Sequence, residues 1–464
     1  MPVSKTECPE ILIKIATTIM VTETIEITGS NWLLMVLTHF ERVRTVKIML
    51  KGLSRKKVHD IWEIVNKVRT VENLVVPNTE LRKWSKANQK KQPRINLRPL
   101  YLKNLKSDTI QIIEDYEPEQ KEVIQKFNHY MSNATRKYES GYKPDNPNEA
   151  LALSNIIMIA ESNIYDVNQA DWEKYIKKSS QTVELPTILS KEKTKIKNII
   201  DKYSTNVLKD DKALFKTLFK YKAKESKAIK LCLETITNVD SVVNNTWKAD
   251  IDTKEEDLFI KNFVDTMVID PLFNSFTNDI KKHGNRHALK ESRHRKVKQA
   301  KKNGDNMTGL RGRVPDRSLE LKRTGNNVFI CEVKTGSAST KHPDLTKLGT
   351  MLKDVLDYAL EKGVTQKYAT TGLLVEGVHC TVYSMTLPIP KLYHMTAVRG
   401  FDLPKNATEL GMLKTIIESM VICQGLIDLS CRQLKAIGHQ IRVENEKRTV
   451  PTCSSPPCYA DYYK

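Results

Sequence analysis

Residues 328 to 334 read "VFICEVK". Four apolar side chains in a row call for a buried strand, and an acid and a base follow at once. An unpartnered buried charge is costly, so Glu332 and Lys334 either pair with each other or serve a site. Side chains alternate between the two faces of a strand. Glu332 and Lys334 therefore share a face, while Val333 points the other way and stays in the core. The preceding run, "LRGRVPDRSLEL", is also strand-like, and "KRTG" between the two reads as a hairpin turn. Such a hairpin brings Asp316 beside Glu332. Two carboxylates and an ammonium then gather at one sheet edge.

Carboxylates brought close repel and raise each other's pKa. A divalent cation removes the conflict, and oxygen ligands of this kind suit Mg2+ or Mn2+. A water on such an ion is a better nucleophile. Lys334 can orient that water or offset charge on a phosphate. The competing account is an ordinary ion pair between Lys334 and Asp316 or Glu332, which contributes little at a surface.

Texture around this hairpin adds context. "DTKEEDLFIKNFVDTMVIDPLFNSF" reads as an amphipathic helix with Phe259, Phe263 and Met267 on one side, ended or kinked by Pro271. After the hairpin comes a helix, "HPDLTKLGTMLKDVLDYALEKG", with Gly363 as its stop. Strand-like runs "ATTGLLV", "VHCTVYSMTL" and "LYHMTAVRGFDLP" follow, then a closing helix or helix pair. The expected fold is α/β (α+β), with a mixed sheet flanked by helices.

"PD" at Pro315 and Asp316, followed by "EVK" at 332 to 334, resembles the PD-(D/E)XK phosphodiesterase superfamily. The resemblance covers roughly residues 252 to 405. It implies a restriction-endonuclease-like core of helix, three strands, helix and strand. It also implies metal-dependent cleavage of a DNA or RNA backbone, with Mg2+ or Mn2+ as cofactor. Asp316 matches the first metal ligand, Glu332 the second and Lys334 the catalytic lysine. The family often carries a further acid on the preceding helix. Glu256 fits, three and seven residues ahead of Phe259 and Phe263; Glu255 is the alternative. The chain is also similar to fungal proteins that carry this domain behind a helical front half. The alternative function is a catalytically inactive nucleic-acid-binding or protein-interaction protein of the same fold.

The formal net charge of the 464-residue chain is +20, which favours polyanionic partners. The expected partner is nucleic acid, DNA ahead of RNA. Residues 281 to 302 hold ten Lys or Arg against one acid, Glu291. They read as a mobile basic loop inserted into the main domain over 281–304. In that loop Lys290, Arg293, Arg295, Lys296 and Lys298, joined by Arg311 and Arg313, supply phosphate-binding charge beside the metal site. Its two basic clusters, "KK" at 281 and "RHRKVKQAKK" from 293, also resemble a two-part nuclear import signal.

The expected organisation runs from a small mixed region over 1–80, through a basic linker over 81–109, to a mainly helical module over 110–248. A nuclease-like domain over 249–440 and a flexible tail over 441–464 complete it. The linker carries Trp84 and Tyr101 as stacking candidates. "KPDNPNEA" supplies a cap before one helix of the module.

Other chemistries lack their signatures. No GxxxxGK[ST] loop and no GxSxG occur. Eight scattered cysteines form no CxxC pair, which fits a reducing compartment, nuclear or cytoplasmic, rather than a zinc finger. No apolar signal core opens the chain. His342 and His379 read as lone polar groups, and Asp344 as a cap for the helix at Leu345.

Overall fold

A computed structural model describes residues 109–440, apart from 141–143, 145, 161, 182–188, 208–225, 246–255, 277, 304–306, 308, 336–342, 366 and 406. The expectations for 1–80, for the linker with Trp84 and Tyr101, for the tail and for His342 lie outside the described residues.

The hairpin forms as the sequence dictates. Strand β3 (Arg317–Leu321) pairs antiparallel with β4 (Asn326–Lys334), with Arg317 opposite Cys331 and Leu319 opposite Phe329. Gly325 closes the turn at φ +65°, its N–H donating to the Leu321 carbonyl at 2.7 Å. Only a residue without Cβ adopts that left-handed conformation freely. Val328, Phe329, Ile330 and Cys331 are each 1% exposed or less. Burial of a side chain such as Phe329 contributes about 1.5–3 kcal/mol.

Around this pair the chain builds a seven-stranded mixed sheet in the order β1 (Ile156–Ile159), β7 (Leu392–Asp402), β6 (His379–Ile389), β5 (Thr370–Glu376), β4, β3 and β2 (Ile280–His283). Strand β2 (Ile280–His283) lies antiparallel beside β3. After β4 the helix Pro343–Glu361 crosses over to β5 (Thr370–Glu376), which runs parallel to β4. Strands β6 (His379–Ile389) and β7 (Leu392–Asp402) continue as an antiparallel meander. Gly363 sits at φ +91° just past the crossover helix, the expected stop. Gly372 on β5 explains the close helix contact: a Cβ there would meet Leu348 and Leu352 at 2.9 Å.

Three expectations are corrected. First, residues 110–248 are not a separate helical module. Helix α1 (Pro118–Glu139) and α2 (Pro147–Ala152) form, and Asn146 caps α2 by accepting from the Glu149 N–H at 2.9 Å. The next apolar run, "IIMI", then becomes β1 (Ile156–Ile159), parallel to β7. Helices α3 (Gln169–Gln181), α4 (Ser190–Val207) and α5 (Lys227–Asn245) follow. Side chains of α4 and α5 share one core with the sheet. Four apolar residues carry no period by themselves, and β7 decides that they become a strand.

Second, Pro271 does not end its helix. Short α6 (Glu256–Phe259) widens into a π-helix (Ile260–Ile269) and closes as α7 (Asp270–Asn274). Pro271 stands where the helix passes from π to α, and the Thr266 carbonyl one turn earlier accepts instead from the Asn238 side-chain amide at 2.9 Å. Phe259, Phe263 and Met267 face the core as expected.

Third, the basic stretch is not a mobile loop. It contributes β2 and then helix α8 (Lys290–Asn303). Helix α8 packs on the crossover helix, α9 (Pro343–Glu361). The following segment also packs closely, since a Cβ on Gly312 would fall 1.9 Å from the Leu289 carbonyl oxygen.

The closing helix α10 (Leu413–Gln440) covers the face of the sheet opposite α9. Within the span Glu409–Ile437 an 18-residue window has mean hydropathy 1.5, long and apolar enough to cross a bilayer. Here its Leu413, Ile416, Ile417, Met420 and Ile427 are buried against the sheet and α5.

Candidate functional site

Asp316 lies immediately before β3, and its Oδ2 accepts the Val333 N–H at 2.8 Å. That bond ties the carboxylate to the backbone between Glu332 and Lys334. The alternation of β4 holds: Val333 is 3% exposed in the core, while Glu332 faces α9. Glu332 itself has no exposed surface. Its Oε2 accepts from the Lys347 ammonium on α9, and its Oε1 is buried with no hydrogen-bond partner. Lys334 reaches the Asp344 carboxylate at 3.8 Å and stands in register with Glu376 on β5. Glu256 begins α6 and is exposed, and the charges of Asp316, Lys334, Asp344 and Lys347 all act on it. The four residues expected from the sequence therefore meet in one region.

Two further members were not expected. Asp344 stands inside the first turn of α9, where it forms its ion pair with Lys334 rather than capping the helix. Lys347, three residues on, reaches Glu332. Their spacing puts both on one helix face. That spacing was visible in the sequence, but nothing local tells which strand the face meets.

The cluster is rich in acid. Burial pushes the Glu332 carboxyl well above its usual range; Lys347 opposes this and Asp316 adds to it. Burial also raises Asp344, against the pull of Lys334 and Lys347. Partial burial raises Glu256, and the charge of Asp316 raises it further. Burial works against the Lys347 ammonium, but Glu332 and Asp316 outweigh it and hold its pKa up. Four acids, Glu256, Asp316, Glu332 and Asp344, face two lysines. Hard oxygen donors and a buried oxygen with no donor fit a divalent cation. Glu332 and Asp316 are the residues that would hold one. Among the described residues no three carboxylate oxygens here lie within 4.8 Å of one another. Two carboxylates are a number that suits Mg2+, which retains several waters.

Rigid neighbours hold this arrangement. Arg317 forms a bidentate pair with Asp265 of the π-helix at 2.7 Å on both arms and donates to the Asp316 carbonyl. It fastens the helix that begins at Glu256 to the strand that begins after Asp316. Two turns further along α9, Asp354 accepts from Ser292, Arg295 and Arg313 at 2.6, 2.6 and 3.2 Å.

That last network corrects part of the basic set. Arg295 and Arg313 turn inward to Asp354, because a fully buried carboxylate needs counter-charges more than the surface does. Lys290 donates to the Thr324 carbonyl and lies over the Tyr358 ring at 5.6 Å. Lys296 donates to the Arg311 carbonyl, Lys298 pairs with Glu361, and Arg311 donates to the Arg286 carbonyl. Arg293, Lys298 and Arg311 remain exposed, with Lys301 and Lys302 beside them on α8. His379 pairs with Asp402 at the surface, as a lone polar group.

Compared with protein-family models, with curated proteins and with solved structures, the chain gives no match.

Proposed function

We propose that the chain is a metal-dependent phosphodiesterase acting on a nucleic-acid backbone. The Asp316–Val333 bond carries this reading, because it ties one carboxylate to the backbone between Glu332 and Lys334. The order of elements supports a restriction-endonuclease-like core of the PD-(D/E)XK kind. A helical segment precedes three antiparallel strands, β2 to β4, and α9 then leads to a fourth strand parallel to the third.

Mg2+ or Mn2+ bound at Asp316 and Glu332 would supply an activated water and a Lewis acid. Lys334 holds positive charge where charge develops on the phosphate. Glu256, on the open side with its pKa raised, can take or return a proton. The exposed basic residues of α8, which flank the C-terminal end of α9 at Glu361 rather than the site at its N-terminal end, add long-range attraction for a polyanion. DNA stands ahead of RNA as the substrate.

One observation favours a second reading, a non-catalytic nucleic-acid binder of the same fold. Lys347 already occupies Glu332 Oε2, and an ammonium that stays there competes with a metal ion.

The test offers single- and double-stranded DNA and RNA to the purified chain with Mg2+ or Mn2+. Wild type cleaves, and Asp316→Asn and Lys334→Ala cleave at least about 100-fold more slowly. Equal rates in all three, or no cleavage by wild type with either ion, overturns the proposal. Binding without cleavage supports the second reading.

A further inference from the structure

The stretch "HGNRH", residues 283 to 287, has no part in the site above. His283 ends β2, and the chain turns at once, with the His287 N–H donating to the Gly284 carbonyl at 3.1 Å. The turn folds His287 back over His283, so that the two rings stack with centroids 3.6 Å and planes 9° apart. Across the β2–β3 pairing His283 stands opposite Ser318, and Lys281 opposite Glu320. Glu320 is therefore on the same face as His283 and one diagonal step away. The Nε2 atoms of His283 and His287 lie 3.3 and 3.8 Å from Glu320 Oε2. Parallel rings send their in-plane nitrogens out side by side. That arrangement does not fit a shared metal ion, but it lets one carboxylate serve either ring.

Protons decide whether such a stack holds. A neutral ring can lie on a charged one, and Glu320 supplies the matching charge. Two imidazolium rings this close repel, and one carboxylate balances only one of them. The other charges nearby favour a single proton. Lys281 precedes His283 on β2, and Lys290 of α8 lies with Glu320 Oε1 around Gly325. The Arg317 guanidinium of β3 approaches Gly284 and is matched by Asp265. Asp257 of α6 reaches the turn at the Asn285 amide, which donates to it at 2.9 Å. Burial and the charge of His287 push the His283 pKa down, and Lys281 adds to them against the pull of Glu320. His283 is 8% exposed, so it is the ring that takes its proton last.

The turn also joins other elements. Asn285 ties it to Asp257, beside Glu256 at the start of α6. The Arg286 carbonyl accepts from Arg311 at 3.2 Å, on the segment that leads to Asp316.

We infer that the His283–His287 stack over Glu320 is an acid-released latch on this turn. With one proton or none, the rings stay stacked and the turn stays closed. A second proton drives His287 off His283 toward solvent, and the turn lets go of α6 and Arg311. The latch acts on elements that flank the carboxylate cluster, but it does not depend on the nuclease reading. Its sign follows from burial. The folded pKa of His283 lies below the unfolded value of about 6.5. The closed turn is therefore fully supported above that value and loses support as pH falls toward the folded pKa.

The test follows the histidine ring signals of the full chain by NMR against pH, with amide hydrogen exchange of residues 284–289 alongside. Wild type should titrate the pair in two separate steps. Protection of the turn should fall by at least about tenfold across the second step, beyond the ordinary pH dependence of exchange. His287→Phe keeps a stacked ring without its charge, and its turn should stay protected through that pH range. Glu320→Gln removes the matching carboxylate and should move the opening to higher pH. Circular dichroism checks the fold of both variants. A single step shared by both rings, or the same loss of protection in wild type and His287→Phe, overturns the inference. So does an opening pH that Glu320→Gln leaves unchanged.

Discussion

Asp354 and Glu332 are both carboxylates with almost no exposed surface, and their surroundings treat them in opposite ways. Asp354 receives a hydroxyl and two guanidinium groups. Burial alone would raise it, but Arg295, Arg313 and Ser292 outweigh burial and hold it below the usual range. Glu332 receives one ammonium and keeps an oxygen without a donor. Burial wins there, and the carboxyl is pushed well up. A carboxylate with a full set of partners locks elements together. One left half-satisfied among further acids costs stability, and strained, perturbed groups of this kind gather at sites.

The sharpest way to break this contrast is Asp354→Asn. Two buried arginines then face a neutral amide, and stability falls by about 3–5 kcal/mol in urea unfolding. The sign with pH follows. The folded pKa of Asp354 lies below the unfolded value of about 3.9, so its contribution is complete above that value. It is lost as pH falls through the folded pKa, and the variant should lose that acid limb. A loss under about 1 kcal/mol would remove the distinction between lock and site.

Glu332→Gln should act in the other direction. Its folded pKa lies above the unfolded value of about 4.3. The stability it lends is therefore present below that value and is lost as pH rises through the folded pKa. A neutral isostere removes the cost at neutral pH, and we expect a gain of about 0.5–2 kcal/mol in the same unfolding measurement. A loss as large as that of Asp354→Asn would make Glu332 a second lock.

The smallest effect belongs to the pair Lys298–Glu361, which bridges α8 and the end of α9 at 2.6 Å near the surface. Lys298→Ala should change stability by about 0–1 kcal/mol. Its effect on nucleic-acid binding is the informative one. Affinity should fall evenly across sequences, and the slope of log K against log salt should drop by about one. An unchanged slope would place the nucleic-acid track elsewhere.

Much of the site was legible because it is local. Alternation along "VFICEVK" set the face of Glu332 and Lys334, and the four-residue turn set the approach of Asp316. What stayed hidden is non-local. Lys347 and Asp344 share a helix face by spacing, but their meeting with Glu332 depends on how α9 lies across β4. The inward turn of Arg295 and Arg313 depends on Asp354, some sixty and forty positions away. The "IIMI" strand was invisible for the same reason, since its partner lies near the far end of the chain.

That last pairing bears on how the molecule is made. Ile156 to Ile159 find their partners only in Tyr393 to Thr396 of β7. At ribosomal rates of about 5–20 residues per second, their partner emerges on the order of tens of seconds later. Until then an apolar strand waits with an open edge, ready to pair with the wrong neighbour. A chain interrupted before β7 leaves that edge uncovered for good, and aggregation of nascent or truncated chains should begin there.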